Sequence, residues 1–214
     1  MDRTPESYFD ALYETDADLE RVAERLREAG MRDISVAAGY GRLLTLLVSA
    51  SGAVNALEIG ALGGYSGICL ARGLPAEGKL VSLELKSEYA ELAKANLTAA
   101  GHGDKVEYLV GEAAANLRQL KESGASFDFF FIDADKENYP LYLEACLELA
   151  NPGAIIAADN TLLRGKTIDP AKQGPSVQAL RQFNLTIARD TRLQGVHLPA
   201  YDGLALARVK AGAD

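Results

Sequence analysis

Leu57-Glu58-Ile59-Gly60-Ala61-Leu62-Gly63-Gly64-Tyr65-Ser66 is a short apolar strand that runs straight into a glycine turn and out into a helix. Glycines in such a turn let the backbone approach a ligand closely, and the following helix presents N–H groups with no intrahelical partner. Outward from this stretch the rhythm repeats. Strand-like runs at Val54 to Ile59, Lys79 to Glu84, Val106 to Val110, Phe127 to Ile132 and Ala154 to Ala158 alternate with segments of helical periodicity. That order specifies an α/β fold, a doubly wound and mostly parallel sheet with helices on both faces. After Asp159 the pattern changes to a polar Gly/Pro loop over residues 161–175, a helix through Leu180 and Phe183, and two strand runs. These runs, near Val196 and over Leu204 to Val209, flank Asp202-Gly203 and predict a C-terminal antiparallel hairpin closing the sheet.

Ser87 is placed to cap a helix running through Leu97, with Gly101 where a left-handed stop belongs. A helix over Glu137 to Leu149 should end at Asn151-Pro152-Gly153, a stop and turn before the fifth strand. Before residue 53 two helical patterns, Asp16 to Ala29 and Val36 to Ala50, have no strand between them and are expected to form a lid or dimer surface. With 214 residues, 48% of them apolar, a single domain over 1–214 is the expectation.

A net charge of -8 disfavours RNA, DNA and anionic membrane surfaces as partners. The start, Met1 to Glu6, has no apolar leader core, and the run Leu43 to Val48 is too short to span a bilayer, so a cytoplasmic location is expected. Cys69 and Cys146 lie in apolar helical stretches and read as buried reduced thiols. Two histidines, His102 and His197, leave little material for a histidine zinc site or a serine-histidine triad.

The glycine turn departs from the dinucleotide fingerprint G-x-G-x-x-G, because Gly60 is followed by two non-glycines and no third glycine falls in step. A carboxylate at Glu58 would repel a pyrophosphate but can accept a hydrogen bond or balance charge near a cationic ligand such as a sulfonium amino acid. This favours S-adenosylmethionine over a nicotinamide. Glu84 ends the second strand and should point into the crevice at the strands' carboxyl ends, where a carboxylate can bind both ribose hydroxyls. Gly111-Glu112-Ala113, after the third strand, offers a small backbone-lined slot for an adenine ring. The plain alternative is that the glycines only let a helix pack on its strand and that Glu84 is a solvated strand end.

The fourth strand delivers Asp133 to the same crevice, followed by Ala134, Asp135 and Lys136, and the fifth delivers Asp159 and Asn160. Carboxylate and amide oxygens without histidine or thiolate suit a hard divalent cation, magnesium first and manganese or calcium next, with positions left open for water and substrate. Otherwise Asp159-Asn160 caps a turn and Asp133 touches only the cofactor. A cation chelating two neighbouring oxygens lowers a hydroxyl pKa, which matches a vicinal diol on a small aromatic ring. Lys136 is placed to take the hydroxyl proton. Flanking Asp133 and Asp135 favour its charged form and burial its neutral form, and an ion pair with Asp135 or Glu137 is its plain role.

Leu57-Glu58-Ile59-Gly60, Ile132-Asp133-Ala134-Asp135-Lys136-Glu137-Asn138-Tyr139, Asp159-Asn160 and Asp202-Gly203-Leu204 resemble motifs of the cation-dependent O-methyltransferases, which include catechol and caffeoyl-CoA O-methyltransferases. The resemblance runs from about Ile34 to Val209. It implies a seven-stranded Rossmann-like fold, a homodimer, and cofactor contacts at Ile34, Glu58, Gly60, Ser66, Glu84, Ala113 and Asp133. It places the metal on Asp133, Asp159 and Asn160, with Lys136 as the catalytic lysine. Ser35-Val36 stands where bacterial relatives commonly have Ser-Pro, and Leu163 where tryptophan is frequent. Arg164 and Lys166 in that loop could meet an acidic acceptor tail such as a CoA phosphate. The competing classes are a nicotinamide-dependent oxidoreductase, which would need the phosphate-binding glycine spacing, and a non-catalytic S-adenosylmethionine-binding protein, in which the metal trio should have decayed.

Overall fold

The computed structural model describes residues 4–211. Strands β1 (Asn55–Ile59), β2 (Lys79–Glu84), β3 (Val106–Val110), β4 (Phe127–Ile132) and β5 (Ala150–Asp159) run parallel, while β6 (Leu193–Leu198) and β7 (Leu204–Val209) form an antiparallel pair. They make one seven-stranded sheet in the order β3-β2-β1-β4-β5-β7-β6, with β7 antiparallel to β5. The strand order reverses between β1 and β4, and this is the point where an open α/β sheet leaves a crevice at its carboxyl ends.

The helices among the described residues are α1 (Pro5–Asp10), α2 (Ala17–Glu28), α3 (Ala38–Ser51), α4 (Tyr65–Gly73), α5 (Ser87–Ala99), α6 (Ala113–Glu122), α7 (Tyr139–Leu149) and α8 (Pro175–Arg189). The apolar run Phe129 to Ile132 of β4 follows from its central place, since both of its faces are covered. Phe130 and Ile132 pack on one side with Tyr139, Leu143, Leu180 and Phe183 of α7 and α8. Phe129 and Phe131 pack on the other with Val22, Leu26, Leu44 and Ile68 of α2, α3 and α4. Each such fully buried side chain contributes about 1.5–3 kcal/mol relative to exposure, so α2 and α3 are structural members of that second layer. No described helix is long and apolar enough to cross a membrane.

Three local expectations change. Helix α5 begins at Ser87 itself, with extended Lys86 as its N-cap and no side-chain cap; the Lys86 N–H is taken by Glu84 Oε1 at 3.1 Å. Asn151-Pro152-Gly153 lies inside β5 instead of preceding it: Phe127 pairs with Ala150 and Phe129 with Ile155, so the tripeptide bulges out of the ladder. Lys136 to Asn138 form a separate 3-10 turn, and α7 starts at Tyr139 with Pro140 in its first turn. Helix α1 carries no heptad-like signal and rests on a Thr4 cap, whose Oγ1 accepts the Ser7 N–H at 3.2 Å. Cys69 and Cys146 are buried free thiols.

Candidate active site

A cleft of about 1190 Å3 opens at the carboxyl ends of β1, β2, β4 and β5. Its floor is the glycine turn. Gly60 adopts φ +101°, and a Cβ there would lie 2.2 Å from the Asp133 carbonyl oxygen. Only glycine lets the β1 and β4 ends come this close, and Gly60 N–H to Leu83 O and Asp133 N–H to Ile59 O, both 2.9 Å, tie the three strand ends together.

Of the residues singled out in the sequence, Ile34, Gly60, Ser66, Glu84, Ala113, Asp133, Lys136 and Asn160 line this cleft. Asp159 and Glu58 do not: Asp159 is buried behind Asn160, and Glu58 is fully buried beneath the turn, where its Oε1 accepts from Ser66 Oγ and its Oε2 from Ser82 Oγ, both at 2.5 Å. Burial pushes its carboxyl up to about 7, against the two serine hydroxyls that favour the charged form. Glu58 therefore braces the strand-to-helix turn from below, and a direct contact with a ligand in the cleft is not available to it in this arrangement.

Glu84 reaches the cleft, but it also holds the turn. Its Oε2 accepts the N–H groups of Ala61 and Leu62 at 3.1 and 2.9 Å, and its Oε1 that of Lys86. A carboxylate has about four acceptor positions, so binding both hydroxyls of a ribose would mean giving up one of these three bonds.

At the other end of the cleft the register of β4 and β5 decides the geometry. Ile132 pairs with Ala158, which makes Asp133 and Asp159 the next residues on adjacent parallel strands. Asp159 is only 3% exposed, and burial followed by the nearby Asp133 charge pushes its carboxyl up to about 7. Its Oδ1 accepts the N–H of Asn160 at 2.8 Å, and Asn160 turns into the cleft through a left-handed backbone, φ +57°. Lys136 Nζ donates to Asp133 Oδ1 at 2.8 Å and to Tyr139 Oη at 2.6 Å, and Tyr139 Oη donates onward to the Asp159 carbonyl at 2.8 Å. Two crowded carboxylates and an amide, all oxygen donors, form a set that could hold a hard divalent cation. Among the described residues no group of three or more His, Cys, Asp and Glu side chains is so arranged, so the amide of Asn160 is needed for a third protein ligand.

Several contributors are not visible as motifs. Tyr139 is fully buried and links Lys136 to the Asp159 backbone, and only its place three residues after Lys136 hints at this. Leu62, Asn160, Leu163, Arg164 and Tyr201, the non-glycine residues with positive φ among those described, all line the cleft. Such conformations cost about 1–3 kcal/mol each and gather where function holds them.

A doubly wound sheet, a glycine turn followed by a helix, an acid at the end of β2 and acidic strand ends at β4 and β5 together define a Rossmann-like methyltransferase cleft. The sequence profile of the O-methyltransferase family matches residues 12–210, and the chain belongs to this family of S-adenosylmethionine-dependent enzymes. It is 43% identical over 204 residues to a catechol O-methyltransferase of Niastella koreensis, covering 92% of each chain. It is 37% identical to caffeoyl-CoA O-methyltransferase 1 of Eucalyptus globulus over 82% of this chain and 74% of that one. The O-methyltransferase TomG of Streptomyces achromogenes, solved in complex with SAM, superposes with a TM-score of 0.89 at 38% identity over 96% of both chains.

Proposed function

We propose that this O-methyltransferase acts on one hydroxyl of a small aromatic ring bearing vicinal hydroxyls, a catechol or a caffeoyl derivative, with a divalent cation on Asp133, Asp159 and Asn160. The observation that carries this is the β4–β5 register, which sets Asp133 beside Asp159 with Lys136 Nζ 2.8 Å from the first carboxylate. The names of the relatives, catechol and caffeoyl-CoA O-methyltransferases, support the acceptor class. A nicotinamide reductase is disfavoured by the glycine spacing, and a non-catalytic binding protein by the retention of all three oxygen ligands.

A cation held by Asp133, Asp159 and Asn160, magnesium first, would lower the pKa of an acceptor hydroxyl and offset the two carboxylates. Gly60, Ser66, Glu84 and Ala113 hold the S-adenosylmethionine end of the cleft, with Ile34 at its rim. Lys136, acting as the neutral amine, receives the acceptor's proton at Nζ, which Tyr139 Oη holds in place. The charged sulfonium and neutral product differ in charge, so alignment and exclusion of water count for more here than oxyanion stabilisation. We also propose a homodimer, on the family resemblance, a cytoplasmic location, and one domain over residues 1–214.

The test is an acceptor screen with S-adenosylmethionine and magnesium, comparing catechol, caffeic acid and caffeoyl-CoA with monophenols. Vicinal diols should be methylated and monophenols left untouched. Equal turnover of a monophenol would refute chelation by neighbouring hydroxyls.

A further inference from the structure

The acceptor end of the cleft is closed by the turn between β6 and β7, and that turn is built onto the segment following Asn160. Leu162 N–H donates to Asp202 O at 2.9 Å, Thr161 N–H to Gly203 O at 3.2 Å, and Arg164 N–H to Asp202 Oδ1 at 2.5 Å. Tyr201 stands at the tip of this turn, 38% exposed and lining the cleft, with a left-handed backbone at φ +52°.

Its ring is held from three sides. Tyr40 packs edge-on against it, 4.9 Å between centroids at 69°, and Tyr40 is itself fixed because its Oη lies 2.6 Å from Ala200 O and 3.1 Å from Leu198 O. Tyr201 Oη lies 3.1 Å from both carboxylate oxygens of Asp10, the last residue of α1, and donates to them. Asp10 is paired in turn with Arg42, whose guanidinium lies 3.9 Å over the Tyr13 ring. Gly39 leaves the space for the phenol: a Cβ there would come within 2.1 Å of Tyr201 Oη. A bulky residue kept in an unfavourable backbone conformation, with one edge on a tyrosine and its hydroxyl anchored to another helix, has little freedom beyond the face it turns to the cleft.

We propose that Tyr201 is an acceptor-binding residue whose ring carries a planar aromatic acceptor, and that Asp10 of α1 is the positioning residue that holds it there. This rests on the proposed acceptor class. Offset stacking on a fixed aromatic face selects flat rings and leaves the S-adenosylmethionine end untouched. It also ties the N-terminal helix, which contributes no residue to the cleft, to acceptor binding.

The experiment is steady-state kinetics with catechol as acceptor. Tyr201→Ala should raise KM for catechol at least tenfold while KM for S-adenosylmethionine stays within twofold. Tyr201→Phe, which keeps the ring and loses the anchor, and Asp10→Ala should each raise it a few-fold. Combining these two should do no more than either alone, because both remove the same bond. Gly39→Ala, at a residue outside the cleft lining, displaces the phenol and should also raise KM for catechol, so it carries the test if Tyr201→Ala does not fold. Unchanged catechol KM in Tyr201→Ala and Gly39→Ala, or additive effects of Tyr201→Phe and Asp10→Ala, would overturn the assignment. Wild-type protein that fails to methylate catechol would instead refute the acceptor class itself.

Discussion

Glu58 gives the fold a pH dependence that one substitution should remove. Its carboxyl is fully buried and pushed from 4.5 to about 7, chiefly by burial, with the Ser66 and Ser82 hydroxyls opposing the rise. An acid whose pKa is higher in the folded state favours folding when protonated. The contribution is fully present below the unfolded value near 4.5 and is lost as pH rises through about 7. At about 1.36 kcal/mol per pH unit, the change from 4.5 to about 7 corresponds to about 3 kcal/mol. Most of this, roughly 2–3 kcal/mol, is lost between pH 5 and pH 9. Glu58→Gln keeps the shape and abolishes the titration, although it adds a constant offset because an amide cannot accept from both serines as a carboxylate does. Thermal or urea unfolding of both proteins without ligand at pH 5, 7 and 9 separates the two effects, and titrations elsewhere cancel in the difference. The variant should gain roughly 2–3 kcal/mol on the wild type between pH 5 and pH 9, or about 5–10 °C in relative Tm for a chain of this size. A difference that stays constant across that range would refute the buried, proton-holding carboxyl.

The other site residues separate by what each variant loses. Gly60→Ala forces a Cβ to 2.2 Å from the Asp133 carbonyl at φ +101°, so it should lower stability by about 3 kcal/mol and weaken S-adenosylmethionine binding at least tenfold, read by calorimetric titration. Lys136→Ala should lower kcat by about 10²–10⁴ while S-adenosylmethionine affinity stays within threefold; a normal kcat would remove its proton-accepting role. Tyr139→Phe leaves the Asp159 carbonyl without its 2.8 Å donor and Lys136 without one acceptor, which should cost about 1–3 kcal/mol in unfolding experiments and reduce kcat less than Lys136→Ala does.

Much of the fold is legible because the core strands are covered on both faces. A run such as Phe127 to Ile132 can hardly be placed elsewhere, and the glycine turn after Ile59 orients everything around it. Strand ends then deliver Gly60, Glu84, Asp133 and Asn160 to one cleft by the geometry of a parallel sheet. Burial behind that surface is harder to read. Glu58 alternates with Leu57 and Ile59 along its strand, and its neighbour Gly60 enters the cleft, but the residue itself closes on Ser66 and Ser82, 8 and 24 positions away. The start of α5 is missed by one residue: the N–H groups of Tyr89 and Ala90 that a Ser87 cap would have served go to the Lys86 carbonyl, and Lys86 is fixed by a carboxylate from β2. Helix α1 and the Tyr201 turn leave still less trace, since Asp10 and Tyr201 are 191 positions apart and no local pattern connects them.

The most direct test of the central claim, that Asp133, Asp159 and Asn160 serve one divalent cation, is methyl transfer to catechol after exhaustive chelation followed by stepwise addition of magnesium. Turnover should vanish in EDTA and return with the metal. In Asp159→Ala it should stay absent at every metal concentration while S-adenosylmethionine still binds. Undiminished turnover of the wild type in EDTA would contradict the account.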